Sequence, residues 1–123
     1  MLERIGIAAA CLACAVQLPA LAGDPPEYYK AAFLAYRDCV NAGADRWASA
    51  DATPSTIAET VLASCDGEWM TYREAVRQAY TEAVRLRRNR ERVRLEADLK
   101  AEETRRTMGG LAIQRVLEAR LPE

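Results

Sequence analysis

Histidine is absent from this chain of 123 residues. That removes the side chain that most often serves as general base near neutral pH, and the usual nitrogen ligand of zinc, copper and haem. No histidine-dependent nucleophile can be assembled. Phenylalanine occurs once, at Phe33, and the six glycines form no phosphate-cradling loop. Ser49, Ser55 and Ser64 lie in no nucleophile-elbow pattern. No strand-like alternation of useful length, internal repeat or low-complexity linker occurs. Paired carboxylates such as Glu102 and Glu103, or Asp66 and Glu68, are what exposed helices ordinarily carry, and they single out no acid–base or calcium site. The composition argues against an enzyme, and it supplies no catalytic residue, no metal ligand set and no cofactor site.

What is present begins with an address. Arg4 stands in a short charged opening, residues 5–16 carry no charge, and Pro19 precedes Ala20-Leu21-Ala22. This is the order of a secretory signal peptide over 1–22, with cleavage before Gly23. The apolar run of about twelve residues falls short of the roughly twenty needed to span a bilayer. A lipoprotein would use Cys14, but Cys11 occupies the position where that processing site wants leucine. Cleavage discards Cys11 and Cys14, so their Cys-x-x-Cys spacing is no redox or metal motif. Cys39 and Cys65 remain, and an exported chain with two cysteines predicts one disulfide. The expected location is periplasmic or secreted, with no integral membrane segment after cleavage.

The mature chain is expected to be all-α. Asp24-Pro25-Pro26-Glu27 reads as a helix start, with Asp24 as N-cap and Pro25 at the first helical position. Tyr29, Phe33, Tyr36, Val40, Gly43 and Trp47 then form one helical stripe that ends near Ala50. Thr53 before Pro54 is the next cap, with Thr56 and Glu59 as a competing capping box. A second stripe, Ile57, Val61, Cys65, Trp69, Tyr72, Val76, Ala79, Ala83 and Leu86, keeps phase through Gly67, which is therefore expected to be a tolerated kink. Beyond Leu86 the stripe thins to Val93, Leu95, Ala97 and Leu99, which predicts a protruding helix with little to bury. Gly109-Gly110 then breaks the chain before a short amphipathic helix carrying Ile113, Val116, Leu117 and Leu121. The domain reading is a signal peptide at 1–22, a helical hairpin at 23–108 and a C-terminal helix at 109–123.

Cys39 and Cys65 lie at similar distances from the Pro54 turn, about 15 to 17 Å along either helix. Two antiparallel helices would bring them level, and the spacing predicts a Cys39–Cys65 bridge. The aromatic set Tyr29, Phe33, Tyr36, Trp47, Trp69 and Tyr72 fits a packed hairpin core better than a ligand groove. Tyr28 and Tyr80 are candidates for a partner-facing surface.

Charge is unevenly spread. From Gly23 to Tyr72 the acids Asp24, Glu27, Asp38, Asp45, Asp51, Glu59, Asp66 and Glu68 outnumber Lys30, Arg37 and Arg46, and beyond Tyr72 arginine dominates. Arg85, Arg87, Arg88, Arg90, Arg92 and Arg94 are opposed within their run only by Glu91. Arginines four apart on a helix repel, so an anionic partner would relieve this segment. Lipid or polysaccharide headgroups and an acidic protein surface, including this chain's own front half, fit. A solvated face is the bland alternative. Without interleaved aromatics the run is poorly suited to nucleic acid.

Tyr36-x-x-Cys39-Val40, Trp47, Ile57-Ala58 and Ala63-x-Cys65 resemble small exported helical proteins of bacteria that carry one cysteine pair. That resemblance implies paired helices and an envelope location, and it brings no activity with it. The expected function is an exported, non-enzymatic structural or protein-interaction module whose partner is an envelope protein. The alternatives are a binder of anionic lipid or polysaccharide through Arg85–Arg94, and a coiled coil self-associating through Val76, Ala79, Ala83, Leu86 and Val93.

Overall fold

The computed structural model describes residues 24–83 and 89–122. The signal peptide expected over 1–22 lies outside them, as do Arg85, Leu86, Arg87 and Arg88. Four helices make up the described chain: α1 Glu27–Trp47, α2 Pro54–Ser64, α3 Asp66–Ala83 and α4 Arg90–Arg120. No strand occurs among the described residues.

Helix α1 begins later than the sequence pattern predicts. Pro26, in an extended conformation with φ −57° and ψ 150°, is the N-cap, and no side chain caps the helix. The cause is the Pro25-Pro26 pair, because a residue that precedes proline is pushed out of the helical region. The Pro26 carbonyl accepts the first bonds instead, from the Tyr29 and Lys30 amides. Helix α2 starts as its sequence signals: Pro54 is its first residue, and the Thr53 side chain accepts from the Thr56 amide.

The second stripe does keep phase, but its interruption falls at Cys65 and not at Gly67. Cys65 departs from helical geometry (φ −97°, ψ 18°) and separates α2 from α3, whereas Gly67 lies within α3. Backbone bonds from the Cys65 amide to the Val61 carbonyl and from the Trp69 amide to the Cys65 carbonyl carry the ladder across the bend. Ile57, Val61, Cys65, Trp69, Tyr72, Val76 and Ala79 therefore still face one core.

Contacts between α1 and the α2–α3 pair run in opposite sequence order. Tyr28 meets Glu82, Tyr29 and Phe33 meet Tyr72, Tyr36 meets Trp69, and Gly43 lies against Val61. Cys39 and Cys65 are joined by a disulfide with their Cα atoms 6.0 Å apart. At the centre, the rings of Tyr29, Phe33, Tyr36, Trp69 and Tyr72 stand 5.7 to 6.4 Å apart. Aromatic pairs at such distances contribute about 0.5–1.5 kcal/mol beyond the area they bury. Trp47 does not join them: it is 43% exposed, because the contact line continues from Val40 through Ala44 to Ala48. Tyr80 is buried, so it is core and not a partner-facing residue.

The largest departure from the sequence pattern is α4. The helix expected to run on past Leu86 is instead begun afresh by Asn89, whose side-chain oxygen accepts from the Glu91 amide. It then continues unbroken through Gly109-Gly110 to Arg120. Nor does it protrude, for it packs against α1, α2 and α3. Its inward line is Val93, Ala97, Ala101, Thr104, Met108, Ala112 and Val116, all buried, spaced by fours and a three. Two glycines cost about 1 kcal/mol each in a helix interior, and burial of this line on both sides of them outweighs that cost. The separate C-terminal helix expected from 109 onward is the last third of α4. Because Val76, Ala79 and Val93 are buried inside the molecule, the seam proposed for self-association is already occupied.

Helices α1 and α2 approach closely at Gly43. A Cβ placed there would lie 2.8 Å from Val61 Cγ1. Valine is stiff at χ1 in a helix and cannot swing aside. Gly43→Ala is therefore expected to lose about 1–3 kcal/mol of stability through overpacking, despite the better helix propensity of alanine. The double variant G43A/V61A should lose less than the sum of the two single changes. Urea-unfolding midpoints of the four proteins provide the check, and additive losses would show that the two sites do not touch.

Candidate functional site

The inner side of α4 makes a buried hydroxyl relay with α3 and α1. Thr104 Oγ1 donates to the Lys100 carbonyl at 3.1 Å, and Tyr72 Oη lies 2.8 Å from Thr104 Oγ1. Tyr29 Oη lies 3.2 Å from Tyr72 Oη. Each hydroxyl has one proton, so once Thr104 has given its own, Tyr72 must donate to Thr104 and Tyr29 to Tyr72. Burial pushes the Tyr72 phenol up, and the bond it accepts from Tyr29 pulls the other way. Tyr29 is pushed up by burial and further by Tyr72. Tyr36 is raised to about 12, chiefly by burial. These phenols remain protonated at neutral pH and supply neither a base nor a nucleophile.

Forked arginines tie α4 to its neighbours. Arg77 of α3 bonds both oxygens of Asp98 on α4, Nε at 2.7 Å and Nη2 at 3.2 Å, and reaches Glu74 through Nη1 at 2.6 Å. The hydrogen bonds from Arg77 hold the Asp98 carboxyl below its usual range. Arg115 bonds Asp45 of α1 in the same fork, at 2.7 and 3.0 Å. Arg120 donates to the carbonyls of Ala48, Ala50 and Ala52 at 2.9, 2.8 and 2.7 Å, satisfying the turn between α1 and α2. Arg105 stacks over the Trp69 ring at 5.3 Å. These arginines are structural. Among the described residues, Asp45–Arg115 is the one ion pair that joins the acidic front to the basic back. The unequal charge of the two halves is thus left largely facing solvent.

Of the basic run, Arg90, Arg92 and Arg94 are described. All three are exposed in the first turns of α4, with Arg92 3.5 Å from Glu96. The helix macrodipole places positive charge at the same end. A shallow groove of about 470 Å³ lies between α1 and α3, lined by Tyr28, Ala32, Met70, Thr71, Glu74, Ala75 and Gln78. Its polar groups are engaged: Tyr28 and Gln78 both donate to Glu82, and Glu74 accepts from Arg77. The two cysteine sulfurs and a Glu68 oxygen come within 4.8 Å of one another. Joined as a disulfide, the sulfurs offer no thiolate to a metal.

No protein family matches this chain, and no curated protein or solved structure shows similarity to it. Its function must be argued from its own surface. No described helix is long and apolar enough to cross a membrane.

The feature that sequence reasoning missed is on the outward side of α4. Leu95, Leu99, Leu117 and Leu121 are 59%, 58%, 51% and 68% exposed. Leu95, Leu99 and Leu117 fall roughly opposite the Ala97–Val116 line that closes the bundle, and Leu121 is the extended C-cap residue that follows the helix. The sequence pattern places Leu95 and Leu99 in a thinning core stripe, and Leu117 and Leu121 on the apolar face of a separate helix. The small residues Ala97, Ala101, Thr104 and Ala112 were the available signal, since they mark the side along which another helix approaches closely.

Proposed function

We propose that the chain is a non-enzymatic binding or structural module of the bacterial envelope, exported and stapled as an antiparallel arrangement of α1 against α2 and α3. It engages its partner with the outward face of α4. The observation that carries this reading is the set of four exposed leucines, three on the outward face of a helix whose other face is sealed and the fourth at its C-cap. Isolated surface leucines are ordinary, but an apolar row along one helix is the usual mark of an interaction surface. The Cys39–Cys65 bridge is compatible with an oxidising compartment. The protonated phenols and the satisfied groove favour binding over catalysis.

The test is a double charge substitution. L95E/L99E is expected to leave the helical circular dichroism and the unfolding midpoint within about 0.5 kcal/mol of the parent, as surface changes do. Crosslinking and capture from the native envelope should be lost. Undiminished capture by this variant would remove the outward face of α4 from the reading.

A second reading rests on Arg90, Arg92 and Arg94, exposed where the macrodipole adds to their charge. Here the module docks on anionic lipid or polysaccharide through the Arg85–Arg94 run, of which these three are described. Binding to anionic vesicles would then weaken steeply as the Debye length falls to about 8 Å near physiological salt. Capture through the leucines would hardly respond.

A further inference from the structure

Gly110 sits in the middle of α4, where glycine costs about 1 kcal/mol relative to alanine. A Cβ built on it meets nothing within 4 Å, so nothing inside the molecule calls for it. At Gly109, by contrast, a Cβ would come 3.4 Å from Leu62 Cδ1 of α2. Gly110 faces outward with Leu95, Leu99, Arg106 and Leu117, and with Leu121 where the helix closes. Its missing side chain lies between the two leucine pairs, in a stretch that also exposes Glu102, Glu103 and Arg106, and it allows close approach by another backbone or a large side chain.

The row is also self-complementary. Leu95 and Leu121, Leu99 and Leu117, and Arg106 and Gly110 are each placed symmetrically about position 108. A second α4 laid antiparallel, with a two-fold axis near Met108, sets Leu99 against Leu117 of the other copy and brings Leu95 to the end of the partner helix, where Leu121 is the C-cap residue. Arg106 then lies over the gap at Gly110, and the same contacts recur by symmetry. Arg106 is exposed and enters no ion pair among the described residues, so it is available for this. A contact strip along 95–121 is about 40 Å long. At a width of roughly 12–15 Å it buries about 1,000–1,200 Å² in total, the lower edge of specific interfaces.

Resting on the binding-module reading above, we propose that the occupant of this face is a second copy of the chain, paired antiparallel through α4 as a reversible homodimer. This interface differs from the Val76–Val93 seam, which lies inside each copy.

Sedimentation equilibrium on the disulfide-intact protein should show the average mass rising toward twice the monomer between low micromolar and several hundred micromolar chain. L99E/L117E should stay monomeric with unchanged circular dichroism. Register is read by cysteine pairing. A mixture of L99C and L117C chains should give a crosslinked heterodimer on mild oxidation. L99C alone should not, because residues 99 and 117 are separated by about 27 Å along the helix. Efficient L99C self-crosslinking without the mixed product would overturn the antiparallel register. A parent chain that stays monomeric throughout overturns the dimer. If L95E/L99E still abolishes envelope capture in that case, the binding-module reading stands with another partner.

Discussion

Cutting the Cys39–Cys65 bridge, by reduction or as C39S/C65S, is expected to lower the unfolding free energy by about 3 kcal/mol in the chain-entropy account. The two cysteines are 26 residues apart in sequence, and their loop holds the end of α1, the α1–α2 turn and all of α2. Opening it gives the unfolded chain more freedom while most folded contacts remain. Cys65 also marks the bend between α2 and α3, where the backbone leaves helical geometry and the staple fixes the position of the bend. The double replacement avoids a lone thiol that could pair between chains. For a domain of this size, whose total stability lies toward the lower part of the roughly 5–15 kcal/mol range, the loss is a large fraction. Urea titrations with and without reductant provide the measurement. A midpoint that moves by less than about 0.5 kcal/mol equivalent would mean that the unfolded chain is already restrained without the bridge.

This expectation bears on where the protein can work. In a reducing compartment the chain would lose its staple and be left with a core that relies on alanine along one whole side. Such a core buries less apolar area per contact than a leucine core, since each methylene contributes about 0.8 kcal/mol. The small residues of α4 bring the helices close but supply little transfer energy individually. The forked pairs Arg77–Asp98 and Arg115–Asp45, and the Arg120 contacts to three carbonyls, help to fix the register of α4. A helix held in this way can keep a precise outward surface even though its inward surface is modest.

The same physical contrast determines what could be seen in the sequence. In α1 and along the Ile57–Ala79 stripe, large apolar and aromatic side chains recur at helical spacing and prolines punctuate the starts. Periodicity therefore identifies α1 and the stripe shared by α2 and α3, and it places Cys39 and Cys65 level on them. In α4 the order is inverted. The large apolar residues Leu95, Leu99, Leu117 and Leu121 face outward, and the buried line is mostly alanine with a threonine and a methionine. A pattern search weighted by side-chain size follows the leucines and finds the wrong face. Gly109-Gly110 adds a false stop, because a helix can absorb two glycines when burial continues on both sides. Asn89 was a legible cap concealed by the conspicuous arginines around it. The basic run was evident as composition, whereas its relation to the leucine face depends on α4 beginning at Arg90.

Tyr72→Ala is expected to be more damaging still, at about 3–5 kcal/mol, as for other large-to-small changes in a core. Tyr72 is fully buried and its ring adjoins Tyr29, Phe33, Tyr36 and Trp69. It thus connects α1 with α3, and through its hydroxyl it reaches α4. Tyr72→Phe separates these roles. The ring contacts survive, but Tyr29 loses the acceptor for its proton and Thr104 loses a donor, while Thr104 keeps its own bond to the Lys100 carbonyl. Leaving a buried hydroxyl unsatisfied costs about 1–3 kcal/mol, so Y72F should fall well between the parent and Y72A. Removing the second hydroxyl as well, in Y29F/Y72F, should recover part of that loss, because the orphaned donor disappears with it. Chemical-denaturation midpoints of the four proteins decide the matter. A Y29F/Y72F protein that loses the full sum of the single changes would show that the Tyr29 hydroxyl finds another partner when Tyr72 is gone, and that the one-way order of protons along the relay is wrong.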